Sequence, residues 1–154
     1  MRAKHALSHF ALGFCLVQFV THAATPLAPA TAPASPSLSA AGNSFCPLFS
    51  SDGRQLLFTS QANNLATNDD LGPNLDLFLC DLATRHISLV SVATNGGGGA
   101  NADVGVATIS SNGQWVAFES AASNLACHDA NNQTDIFVRD LAAGITRLIS
   151  VDTN

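Results

Sequence analysis

The sequence predicts an all-β fold made of two sibling sheets, each of four antiparallel strands. Three observations predict it. A segment of near sixty residues occurs twice. Each copy breaks into short runs rich in Val, Ile, Leu and Phe, bounded by Gly, Asn, Asp and Ser. Charged residues make up only 11% of the chain, against about 25% in an average globular domain, and Asn, Ser, Thr and Gly fill the gap, which suits turns and strand ends.

The duplication is read directly. Ser50-Ser51-Asp52-Gly53-Arg54-Gln55-Leu56-Leu57-Phe58 lies over Ser110-Ser111-Asn112-Gly113-Gln114-Trp115-Val116-Ala117-Phe118, with Gly53 and Gly113 standing 60 residues apart. Ala62, Asn64, Leu65, Ala66 and Asp69 then match Ala122, Asn124, Leu125, Ala126 and Asp129. After the loss of one residue, Asp76, Phe78, Asp81 and Leu82 match Asp135, Phe137, Asp140 and Leu141, and Leu89, Ser91 and Val92 match Leu148, Ser150 and Val151.

Ser-Asp-Gly and Ser-Asn-Gly are tight-turn signals, because glycine accepts a positive φ and Asp or Asn bonds nearby backbone. The runs that follow, Leu56–Thr59 and Trp115–Glu119, are strands, as are Asp76–Asp81 and Asp135–Asp140, then Ile87–Val92 and Thr146–Val151. A further strand is expected before each turn, at Cys46–Phe49 and Val106–Ile109. Phe58, Phe118, Phe78 and Phe137 recur at matching positions and are core candidates.

The N-terminal 23 residues read as an export signal. Arg2 and Lys4 form a basic start, Phe10–Val20 is an uncharged apolar run, and Thr21-His22-Ala23 supplies small residues at its exit. The run is too short for the about 20 apolar residues that span a bilayer. Residues 24–44, rich in Ala, Pro and Ser, read as a linker, followed by repeats at 45–95 and 96–154. The expected location is therefore the periplasm or outside the cell, with no stable membrane insertion after leader cleavage. Cys46, Cys80 and Cys127 remain beyond the leader. Their odd count allows one disulfide at most, and small buried apolar residues are the simpler reading.

Taken together, the Ser-x-Asp-Gly-Arg turn, the strand ending in Phe58, the later Asp76-Leu77-Phe78-Leu79-Cys80-Asp81 and the Ser60–Asp69 and Ser120–Asp129 inserts resemble the WD40-like propeller repeat of TolB-type proteins. The resemblance covers about Cys46 to Asn154. It implies a partial β-propeller of two four-stranded antiparallel blades, and it carries over no catalytic residue. Asn112 and Gln114 depart from the Asp and Arg of the family's turn. Propellers close rings of about 4–8 blades, so two copies read as a longer protein shortened at a repeat boundary, and open blade edges invite self-association.

The chemistry-bearing residues concentrate in the long loop of each copy: Asn64, Asn68, Asp69, Asp70, Asn74 and Asp76, then Asn124, Asp129, Asn131, Asn132 and Asp135. Asp129, Asn131 and Asp135 offer oxygen ligands with a spacing loosely like a calcium loop, though without its central Gly and terminal Glu. The same residue types also make side-chain-capped turns. No other cofactor is implied. Asp81 and Asp140 close strands, and Arg54, Arg85, Arg139 and Arg147 are candidates to bridge the sheets.

His86 and His128 occupy different positions in the repeat, and His128 beside Asp129 is the one general-base candidate. No Gly-x-Ser-x-Gly elbow occurs. A net charge of −5 with six Lys plus Arg spread along the chain excludes a phosphate-gripping surface, hence no nucleic-acid partner. The sequence thus points to an exported, non-catalytic binding or scaffold module for a protein or glycan ligand. The rivals are a propeller fragment of a longer peptidase-type hydrolase and a non-functional shortened remnant.

Overall fold

The computed structural model describes residues 39–68 and 72–152. The export-signal residues and most of the linker lie outside them, as do Asp69 and Asp70. The described chain is two antiparallel meanders. The first sheet runs β1 (Ser44–Phe49), β2 (Gln55–Ser60), β3 (Asp76–Asp81), β4 (Ile87–Leu89), and the second runs β5 (Val104–Ile109), β6 (Trp115–Ser120), β7 (Asp135–Asp140), β8 (Ile145–Leu148). Each sheet keeps its strands in chain order. This is the four-stranded unit from which propellers are built. The last strand of each sheet is shorter than its run of β-rich residues, because the chain after Leu89 and after Leu148 bends away from the ladder.

The Ser-Asp-Gly turns explain why β1 reverses into β2 and β5 into β6. Gly53 N–H donates to Ser50 C=O at 2.9 Å, and Gly113 N–H donates to Ser110 C=O at the same distance. Both glycines sit at φ +69°, a left-handed conformation that costs a residue with a Cβ about 1–2 kcal/mol. Asp52 Oδ1 accepts from Ser50 Oγ at 2.7 Å and Arg54 N at 3.0 Å. Asn112 Oδ1 accepts from Ser110 Oγ at 2.7 Å and Gln114 N at 3.1 Å. One side-chain oxygen suffices for both bonds, which is why Asn replaces Asp without changing the turn.

Side chains alternate across the strands, and the registers place the apolar ones. Leu57 opposes Leu79 and Thr59 opposes Leu77 on one face of the first sheet, while Phe58 opposes Phe78 on the other. In the second sheet Phe118 opposes Phe137. The rings stack with centroids 5.9 Å apart in the first pair and 5.7 Å in the second. The two sheets then meet through unlike faces. Leu57, Leu77, Leu79 and Val90 from the first pack with Val116, Phe118, Phe137, Leu125 and Ala126 from the second in one core. Phe58 and Phe118 hold the same place in their sheets, but only Phe118 lies within the stack. Phe58, on the face turned away from the stack, is half-buried, while Phe78 beside it is fully buried.

The folded unit also begins earlier than composition suggests. Ala41 N–H donates to Asn64 Oδ1 at 2.8 Å, and Asn64 Nδ2 donates to Ser39 C=O at 3.3 Å. The second repeat copies this clasp: Asn101 N–H to Asn124 Oδ1 at 3.0 Å, and Asn124 Nδ2 to Gly99 C=O at 3.0 Å. Residues 39–44, assigned to the linker by their Ala and Ser content, are therefore bound to the first sheet.

Truncating a ring in the stack removes buried apolar surface and leaves a cavity. Phe118→Ala and Phe137→Ala are each expected to lower unfolding free energy by about 3–5 kcal/mol in denaturant titration.

Candidate functional site

The sequence candidates divide once their contacts are read. Asn64 and Asn124 are spent on the two clasps. Asn74 Nδ2 donates to Ala100 C=O at 3.2 Å. Asp76, buried at the start of β3, accepts from Ser91 Oγ at 2.6 Å and from Ala100 N–H at 2.9 Å. Gly99 has no side chain for a steric reason, since a Cβ there would run into the Asp76 carboxyl. These residues fasten the segment between the repeats to the first sheet.

Of the calcium candidates, Asn131 Oδ1 accepts from Gln133 N–H at 2.9 Å, the side-chain-capped turn that its residue type favours. Asp135 Oδ1 accepts from Ser150 Oγ at 2.5 Å. Asp129 Oδ2 and Asp135 Oδ2 are buried without a hydrogen-bond partner. Among the described residues no group of three or more His, Cys, Asp or Glu side chains converges as a metal site. His86 and His128 are both exposed, and His128 sits at φ 71° in the loop before β7.

Asp81 and Asp140 cap the turns that follow β3 and β7. Asp81 Oδ1 accepts from Thr84 N at 2.8 Å, Thr84 Oγ1 at 2.9 Å and Ala83 N at 3.0 Å. Asp140 Oδ1 accepts from Ala142 N at 3.0 Å and Ala143 N at 3.1 Å. The backbone N–H of Thr84 foremost holds the Asp81 carboxyl below its ordinary 3.8, and that of Ala143 does the same for Asp140. The Arg54 N–H, then the Ser50 hydroxyl, do so for Asp52.

Two expectations are corrected. The cysteines are free, and Cys46 and Cys127 are exposed rather than buried. Cys46 lies at φ 52° where the β1–β2 register slips between Phe45 and Leu48, in an edge strand whose six residues are all exposed. The arginines do not clamp the sheets together through the contacts seen: Arg54 pairs with Asp52 of its own turn at 3.8 Å, and Arg139 Nη1 donates to Thr146 Oγ1 of its own sheet at 2.9 Å.

Arg139 nonetheless marks a cleft. It lies at the seam between the repeats, has a volume of about 350 Å³, and is lined by Val92–Thr94 and Gly96 on one wall and by Leu125–Cys127, Arg139 and Gly144–Thr146 on the other. Burial draws the Arg139 guanidinium below its ordinary value, yet arginine stays charged across the biological range. The floor is thus a half-buried cation with most of its N–H donors free of protein acceptors in the observed contacts, among apolar and hydroxyl side chains. Its counterpart in the first repeat, between Leu65–Asn68 and Arg85–Ser88, has Cys80 at the position of Arg139 and lacks the wall that Val92–Gly96 provides. Sequence reading passed over Arg139 as one of four arginines. The available signal was that it breaks the repeat, replacing a Cys in the middle of a strand.

Among the described residues no helix is long and apolar enough to cross a membrane. No family model matches the chain, and no curated protein matches it in sequence. Two solved structures are similar to it in fold. TolB from Acinetobacter baumannii is 15% identical over 72% of this chain and 22% of its own, with a TM-score of 0.47. The tricorn protease is 16% identical over 72% of this chain and 9% of its own, with a TM-score of 0.45. The chain spans less than a quarter of the length of either.

Two measurements check this site. The lowered carboxyls stabilise the fold fully above their ordinary value of 3.8. That contribution is lost as pH falls through the lower folded values. The acid limb of a plot of Tm against pH should therefore be shallower in an Asp52→Asn/Asp81→Asn/Asp140→Asn chain than in the parent. Isothermal titration with Ca²⁺ is expected to give no saturable heat, because Asn131 Oδ1 is turned to Gln133 N–H and, among the described residues, no three His, Cys, Asp or Glu side chains converge.

Proposed function

We propose that this chain is an exported, non-catalytic binding module of propeller type, and that the seam cleft takes an acidic group borne by a protein or glycan partner. The observation that carries the reading is Arg139. A guanidinium offers five N–H donors in a planar fork, matched to a carboxylate. Here one donor holds Thr146, which fixes the plane of the fork, while Nη2 lies along Gly144 at the cleft wall. Partial burial strengthens its attraction for an anion, because less water screens the charge. Thr94, Thr146 and the free thiol of Cys127 supply polar contacts around it.

The cleft's size sits at the small end of the about 300–1,000 Å³ of typical ligand sites. It accommodates one sugar ring or one acidic side chain with its neighbouring backbone, not an extended substrate. The exposed histidines are solvated features of loops in this reading, and the export signal delivers the module to the periplasm or beyond, where such partners are met. A scaffold for a protein or glycan needs nothing further from the chain than this anchoring charge and the rim around it.

Glucuronate and an acetylated, amidated Asp-Ser dipeptide are suitable probes, with glucose as the uncharged control. Side-chain NMR of the arginine Nε–H groups should show saturable shifts of Arg139 with glucuronate or the dipeptide and none with glucose. The accompanying shifts of the Thr94, Cys127 and Thr146 backbone amides, which line the same cleft, should be lost in Arg139→Gln and weaker in Arg139→Lys. Equal response to glucose, or none to either acid, would overturn the reading.

A further inference from the structure

We propose that a second copy of this chain docks head to tail on the first, repeating between molecules the contact that the two sheets make within one. The internal contact is the template, and the molecule presents both halves of it again, uncovered.

The half offered by the first sheet is its aliphatic face, Leu57, Leu77, Leu79 and Val90. The corresponding face of the second sheet points outward. Leu77 and Val90 are 0% exposed, whereas Ile136 and Ile149, 59 residues on, are 42% and 50% exposed. The half offered by the second sheet is its Phe118 face. The corresponding face of the first sheet is open on its β1–β2 side: Phe49 is 62% exposed and Phe58 half-buried, although Phe78 and Leu89 on the same face are buried, while Ile109, the counterpart of Phe49, packs against the core. Each free face is the repeat equivalent of a face that the structure shows buried against the other kind.

The polar contacts tell the same story independently. Across the internal contact, Ala100 N–H reaches Asp76. Leu75 N–H donates to Asp103 Oδ1 at 2.8 Å, and Val104 N–H donates to Leu75 C=O at 2.8 Å. Ser51 Oγ donates to Ser111 C=O at 2.6 Å. The equivalents on the free surfaces are Asp135 and Thr134 at one end, and Ala40, Asn43 and Ser44 at the other. Asp135 is 5% exposed, holds Ser150 as Asp76 holds Ser91, and keeps Oδ2 without any partner. In the internal contact Ala100 N–H and Ser91 Oγ share one oxygen of Asp76, so by the repeat geometry the N–H of Ala40 from a second copy arrives at the Asp135 oxygen that holds Ser150, beside the buried Oδ2. Residues 39–44 are held ready for this by the Asn64 clasp, as Gly99 and Asn101 are held by Asn124.

The contact is heterologous: the Phe49–Phe58 face of one copy meets the Ile136–Ile149 face of the next, and Ser111 of one meets Ser51 of the next. Such contacts close into rings when the rotation allows. Pairing through the strand edges, the route that the sequence suggested, would leave both apolar faces open.

The test uses the full chain in a Cys15→Ser/Cys46→Ser/Cys80→Ser/Cys127→Ser background, with Ser51→Cys and Ser111→Cys made as separate proteins. A short bis-maleimide should cross-link the two when mixed and give no dimer from either alone. Sedimentation velocity should show a discrete species larger than one chain, and Ile136→Glu/Ile149→Glu should reduce it to monomer while the far-UV circular dichroism is kept. A monomer with the parent's β-sheet spectrum, cross-links of Ser51→Cys to itself, or a heterogeneous aggregate without the mixed cross-link would each overturn the proposal.

Discussion

Everything in this molecule depends on the packing of one sheet's aliphatic face against the other's aromatic face. A four-stranded sheet of this size has apolar side chains on both sides, since Leu57 and Phe58 alternate in β2 and Leu77 and Phe78 alternate in β3. Neither sheet can bury both faces by itself, and a short meander has little else to hold it in water. The stack solves half of the problem for each. It also dictates the course of the chain between β4 and β5: that segment must carry Ala100 and Val104 across the seam, and the bonds of Asp76 and Asp103 fix it there.

The seam cleft is a by-product of the same stacking. Val92–Gly96 leaves the first sheet and passes beside the Leu125–Cys127 loop of the second, with Thr94 N–H donating to Asn124 C=O at 2.8 Å. A groove between them is unavoidable, and its chemistry is set by what β7 turns toward it. In the first repeat that position is Cys80, and in the second it is Arg139. Both copies carry a cleft at this place, the first lined by Arg85 and His86 and the second by Arg139.

How much was legible in the sequence follows from which residues act locally. The Ser-x-Gly turns, the strands after them and the paired phenylalanines were readable, because turn chemistry and alternation are short-range and the second copy repeats them. Asp81 and Asp140 were also placed correctly as strand closers. Asn64 and Asn124 were not readable as clasps: their partners stand 23 and 25 residues upstream, and an Asn in a polar loop looks the same whether it meets a ligand or its own backbone. Cys46 and Cys127 were misjudged because burial was inferred from residue type, whereas one lies on the exposed edge strand β1 and the other on the cleft wall. Arg139 required knowing that β7 faces a groove, which only the stack defines.

The Asn clasp has a consequence for how the repeat is counted. By similarity a copy starts at the strand before the Ser-x-Gly turn. By hydrogen bonding it starts at Ser39 in one copy and Gly99 in the other, upstream of any apolar run. The heritable module is therefore out of phase with the visible motif. Recombination at the motif's edge would sever each sheet from its strap, whereas breakpoints in the featureless stretch ahead of it would carry strap and sheet together. Selection on such a gene would tolerate junctions where the sequence looks least conspicuous.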